Sequence, residues 1–139
     1  MFKAIDIKAT KRYVSPNDPD QEKPTVFIIG AIDTCLRSYI DNKCTRISVD
    51  KKSQNRDIHI DPMEYSRMVF KYGLKEVENF FAADGTTPLA LEMGTTTISG
   101  TPYSCITDEC IKNFHPDLIG EVAEEIIKYQ GLSAEEIKN

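Results

Sequence analysis

A chain of 139 residues is the size of one folding unit around a single core, which excludes a two-domain enzyme. Hydrophobic residues make up 40% and charged residues 28%, with no low-complexity tract, so disordered and fibrous classes are excluded too. The net charge of −5 is unevenly spread: residues 1–56 hold eleven Lys or Arg against seven Asp or Glu, and residues 57–139 hold six against fifteen. That balance argues against nucleic-acid binding, whose non-specific affinity needs a basic face, and leaves charge to orient protein partners. The small basic patch of Arg46, Lys51, Lys52 and Arg56 reads as a solvated loop.

No apolar run approaches the roughly 18–20 residues of a membrane-spanning helix, and the opening Met1-Phe2-Lys3-Ala4-Ile5-Asp6 places charges where a secretory leader is apolar. The expectation is a cytosolic chain whose four cysteines, Cys35, Cys44, Cys105 and Cys110, are free thiols. Their within-pair gaps of eight and four residues are unlike the knuckles of a structural zinc site.

In chain order, Phe2–Thr10 alternates apolar and polar residues and predicts an opening strand that continues toward Tyr13-Val14. Ser15-Pro16-Asn17-Asp18-Pro19-Asp20 is a dense run of turn formers and predicts a loop. The β-branched and aromatic run at 25–32 predicts an interior strand. Asp33 is placed to cap a short helix through Leu36, Tyr39 and Ile40, and Thr45–Val49 alternates as a strand before a charged loop to Arg56. Asp61, Pro62 and Glu64 form a strong helix start, with Tyr65, Met68, Val69 and Tyr72 as its apolar stripe and Gly73 as stop or kink. Leu74, Val77, Phe80 and Phe81 read as a continuing second apolar face.

Asp84-Gly85 marks a tight turn, and the Thr-rich stretch between Gly94 and Gly100 predicts short strands. Thr107 opens a short helix toward Phe114. Pro116-Asp117 opens a longer one, with Leu118, Ile119, Val122, Ala123, Ile126 and Ile127 on one stripe. Ser133 and Glu136 form a last capping box, giving a helical tail over 132–139. The expected fold is one α+β domain over 1–139: a small sheet of short, mainly antiparallel strands with helices packed on it, concentrated in the C-terminal half.

The sequence lacks the dinucleotide, Walker, nucleophile-elbow and zincin motifs. Its sharpest chemical candidate is Asp57-Ile58-His59-Ile60-Asp61, which as a strand sets two carboxylates and an imidazole on one face, as a metal-dependent hydrolase would need. A solvated strand face explains the same alternation, Asp61 is wanted as a helix cap, and no fourth ligand is identifiable, so no catalytic residue, metal or cofactor is assigned. His115 reads as the residue leading into a helix.

Several blocks carry a resemblance. Tyr13-Val14-Ser15-Pro16-Asn17-Asp18, then Pro24–Asp33 and Tyr39-Ile40-Asp41-Asn42-Lys43, together resemble small proteins encoded by tailed bacteriophages and prophages. Tyr72-Gly73-Leu74-Lys75-Glu76-Val77-Glu78-Asn79-Phe80 is similar to a Phe-Gly-Leu-Lys-x-Trp-Glu-Asn-Phe block of those chains, with Val77 in place of Trp. The end, Leu132–Asn139, resembles their Leu-Ser-x-x-Glu-x-Lys-Asn ending. The resemblance implies a non-enzymatic phage protein of virion morphogenesis, a tail or head-tail assembly factor or component. Its setting would be the host cytoplasm or the virion, and its partners other phage structural or assembly proteins or further copies of itself. A phage-encoded inhibitor of a host protein, an anti-defence factor, is the alternative. Binding is expected through helical surface at 62–81 and 117–139, with Tyr65, Tyr72, Phe80, Glu124, Ile127 and Leu132 as candidate contact residues.

Overall fold

The computed structural model describes residues 1–129 and sets the β-branched run in the middle of a three-stranded antiparallel sheet. Strand β2 (Val26–Gly30) pairs on one side with β1 (Thr10–Val14) and on the other with β5 (Leu74–Glu78). Between β2 and β5 run α1 (Thr34–Cys44), β3 (Thr45–Val49), β4 (Arg56–Ile60) and α2 (Pro62–Gly73). After β5 come β6 (Met93–Ile98), β7 (Thr101–Ile106), α3 (Asp108–Ile111) and α4 (Pro116–Lys128). The fold is α+β. Helix is shared between the halves, two helices ending by residue 73 and two starting after 107.

The strands form three sheets among the described residues, where one was expected: β1-β2-β5 and the separate hairpins β3-β4 and β6-β7. The hairpin β3-β4 is closed by a six-residue loop, in which the Asp50 amide donates to the Asn55 carbonyl, and β6-β7 by a tight turn. Ser99 and Gly100, both at positive φ, make the two-residue connection that matches strand twist. The first strand also begins later than its alternation predicts, at Thr10. All five residues of β2 are already paired with 10–14, so residues 2–9 have no partner strand among the described residues, and the Asp6 side chain accepts the Lys8 amide to turn the chain.

Helix ends follow the caps. Asp33 accepts the Leu36 amide at 2.8 Å and Asp61 those of Met63 and Glu64, while Thr107 starts α3. Val122, Ala123 and Ile126 of α4 are buried against α2, which also touches α1, β5 and β7 and so organises the core. Tyr103 of β7 donates to both Asp33 oxygens, at 2.9 and 3.2 Å, locking the start of α1 to the second hairpin.

Residues 74–78 are a strand, not a continuation of helical surface. Leu74 and Val77 sit three apart, a helical spacing that a regular strand would send to opposite faces. A bulge between Ile28 and Ile29 resolves this: Ile29 pairs with Leu74 and Phe27 with Val77, so both β5 residues face the core beside two buried β2 residues. Lys75 is the extra residue. Its ammonium donates to the Tyr72 carbonyl at 2.9 Å, and burial pulls its pKa down.

Candidate functional site

Two grooves flank the first turn of α4, and Asp117 borders both. Their shapes follow from what fixes the loops around them. In the β1–β2 loop, Ser15 is buried and its hydroxyl accepts the Asn17 amide, while Asp18 accepts the Thr25 amide at 2.8 Å. Asn79, at the end of β5 and in the left-handed region, donates to the Lys23 carbonyl at 2.6 Å, and the Thr25 hydroxyl donates to the Asn79 carbonyl. The turn formers thus make a rigid wall.

Glu121 of α4 ties that wall to the helix. It accepts the Tyr13 hydroxyl and the Asn17 side-chain amide, each at 2.8 Å. Burial, the largest influence, pushes its pKa up. Hydrogen bonds from Ser15, Tyr13 and Asn17 together outweigh it, so the carboxyl ends below its ordinary range. The Tyr13 phenol is pushed up by burial and then by this carboxylate.

Behind the wall lies a groove of about 590 Å³ floored by Phe27, Phe80, Phe81 and Leu118 and rimmed by Asp18, Asp117, Glu121 and His115. Phe80 stacks on Phe114 with centroids 4.5 Å apart and planes 2° from parallel, which holds the floor rigid. The second groove, of about 690 Å³, runs between α2 and α4 past Met63, Ile119 and Gly120. Arg67 in it is bound by Glu64 and Asp108, so its charge is spent locally.

The candidate contact residues separate. Phe80 reaches the first groove. Tyr65 and Ile127 meet in a smaller hollow of about 220 Å³ with Ile5, Ile32 and Tyr129. There the Tyr65 hydroxyl is buried with no hydrogen-bond partner among the described residues, and Arg37 lies 5.6 Å from its ring. Glu124 is exposed. Tyr72 is 3% exposed and meets Tyr39 edge-on, which makes it core and removes it from any binding surface: its stripe is the one α2 turns inward. Leu132 and the tail at 132–139 lie outside the described residues. Sequence reading missed Phe81, Leu118 and Glu121 as one site. The signal for Glu121 was its place three residues after Leu118, on the edge of the apolar stripe.

The Asp57, His59 and Asp61 candidate does not assemble. Asp57 and His59 share a face of β4, but His59 stands opposite Arg46, a cation, and the Asp61 carboxylate is taken by α2 amides. Among the described residues no three His, Cys, Asp or Glu side chains gather to hold a metal. His115 accepts the Asp117 amide at its Nδ1 as the cap of α4.

The β3-β4 hairpin stands apart: nine of its ten strand residues are exposed. No helix among the described residues is long and apolar enough to cross a membrane. Comparison with known protein families, curated proteins and solved structures found no match.

Proposed function

We propose that the chain is a non-enzymatic binding module of virion morphogenesis, a tail or head-tail assembly factor or component that works in the host cytoplasm by gripping other phage proteins. The observation that carries the binding half of this reading is the Phe-floored groove. Four apolar side chains form its floor, Phe81 remains exposed at it, and its polar rim is fixed by the bonds of Glu121, Asp18 and Asn79. A rigid aromatic floor within a polar rim is the anatomy of an interface hot spot. The phage half rests on the sequence resemblance.

The test is co-purification of the tagged chain from phage-infected or lysogenic cells, followed by mass spectrometry, with a Leu118→Asp variant beside it. Recovery of phage structural or assembly proteins, lost in the variant, is expected. Recovery of a host protein alone, or turnover of a substrate by the purified chain, overturns the proposal.

A further inference from the structure

The β3-β4 hairpin has two unlike faces. Cross-strand register sets Ile47 opposite Ile58, Thr45 opposite Ile60 and Val49 opposite Arg56, so Ile47, Val49, Ile58 and Ile60 share one side, with Arg56 on that side at the end nearest the tip. All four are exposed, Ile47 at 64% and Ile58 at 67%. The other side carries Arg46, Ser48, Asp57 and His59, and the tip carries Lys51 and Lys52. A solitary two-stranded hairpin is marginal in water, and one with a bare aliphatic face gains its order from whatever covers that face.

Charge identifies the cover. Over 45–60 the hairpin holds Arg46, Lys51, Lys52 and Arg56 against Asp50 and Asp57. The Phe-floored groove is apolar inside, bears Asp18, Asp117 and Glu121 on its rim, and has no Lys or Arg among its described lining residues. An arm that is aliphatic on one face and basic at its tip fits a groove that is apolar in its floor and acidic at its edge. The hairpin's own groove does not hold it, since both faces of the hairpin are exposed.

We infer that the β3-β4 hairpin is an assembly arm that seats its Ile47–Ile58 face in the Phe80–Phe81–Leu118 groove of a second copy of this chain. The inference rests on the binding-module reading and names one partner for that groove. Arm and groove are different surfaces, so the contact is heterologous: it closes as a ring or an exchanged pair, or runs on as a filament.

The experiment uses the full chain in light scattering and sedimentation across a concentration series, with Ile58→Asp as an arm variant and Phe81→Asp as a groove variant. Both positions are exposed, and thermal melts of both variants should stay near wild type. The wild type is expected to self-associate, less tightly as salt rises, and each variant to do so at least about tenfold more weakly. An equimolar mixture of the two variants retains one intact arm and one intact groove, and is expected to give a heterodimer that grows no further.

A wild type that stays monomeric, variants that associate like wild type, or a mixture that forms no complex would overturn the inference. So would a monomeric wild type whose hairpin instead binds duplex DNA. Self-association lost in Ile58→Asp while phage proteins still co-purify separates the arm from the wider binding reading. Self-association with no phage partner recovered supports the arm and sinks the wider reading alone.

Discussion

Gly73 of α2 and Ile126 of α4 meet where a side chain has no room: a Cβ built on Gly73 would overlap Ile126 Cγ2 and lie 2.8 Å from Cδ1 and 3.0 Å from Cγ1. The φ of Gly73 is not in the left-handed region, so the residue is there for closeness rather than for a turn. Gly73→Ala is therefore expected to push α4 from α2 and to cost about 1–3 kcal/mol. Gly120, also helical, has nothing within 4 Å of its built Cβ, and Gly120→Ala should stabilise by up to about 1 kcal/mol. Denaturant midpoints of the two variants, moving in opposite directions, check the pair. A neutral Gly73→Ala would mean the two helices can slide.

That position also shows where sequence stops being readable. Caps are local chemistry, so Asp33, Asp61-Pro62 and His115-Pro116 marked their helices within a residue or so. Gly73 was legible as a stop but not as a contact, because its neighbour is 53 positions away. Leu74 and Val77 carried a helical spacing that only the bulge in the β2–β5 register explains. The groove gathers Asn17, Phe27, Phe80 and Glu121 from four elements and loops, and no periodicity links them. Of the arm, Thr45–Val49 was legible as a strand, whereas residues 57–61 alternated as a strand would without being assigned as one. That its aliphatic face has no cover among the described residues is a fact of tertiary placement.

Glu121 makes the groove wall sensitive to acid. Its folded-state pKa is depressed, so its contribution is fully present above the unfolded value of about 4.3 and is lost as pH falls through the lower folded value. Glu121→Gln should flatten that part of the acid limb of a stability–pH curve. Glu121→Ala should cost about 1 kcal/mol at neutral pH, because the Tyr13 and Asn17 donors lose their acceptor. Unfolding midpoints between neutral pH and pH 3 for wild type and both variants decide it. A Glu121→Gln curve parallel to wild type would remove the carboxylate from the account.

The four thiols differ in access. Cys35 is exposed, while Cys44, Cys105 and Cys110 are buried and none is in a disulfide. Burial, the main cause, pushes the Cys44 thiol up, and its sulfur lies 3.8 Å from that of Met68. A thiol reagent added to native protein should label Cys35 promptly and the other three only on unfolding. Cys35→Ser should abolish the fast phase and leave stability unchanged. Fast labelling of Cys105 would mean that the second hairpin opens readily from the core, and of Cys110 that α3 does.

Asp84 holds the loop that presents Phe81. Its Oδ2 accepts the Thr87 hydroxyl at 2.6 Å and its Oδ1 accepts the amides of Thr86 and Thr87, while Gly85 turns the chain at positive φ. The Ala82 amide donating to Thr87 and the Leu89 amide donating to Phe80 close the loop behind it. Those bonds, the Thr87 hydroxyl first, draw the Asp84 carboxyl down to about 2. Since the folded value is depressed, the loop should keep its form as pH falls past the ordinary carboxylate range near 4 and loosen only on approach to 2. The amide resonances of Thr86 and Thr87, followed by NMR down the acid range, should titrate with that low midpoint. Asp84→Ala should collapse their shifts toward random-coil values at every pH and weaken whatever binds over Phe81, with the melting midpoint almost unmoved because the carboxylate is on the surface. Amides that titrate near 4, or an Asp84→Ala variant with an undisturbed loop, would show that Gly85 and the backbone bonds fix Phe81 without the aspartate.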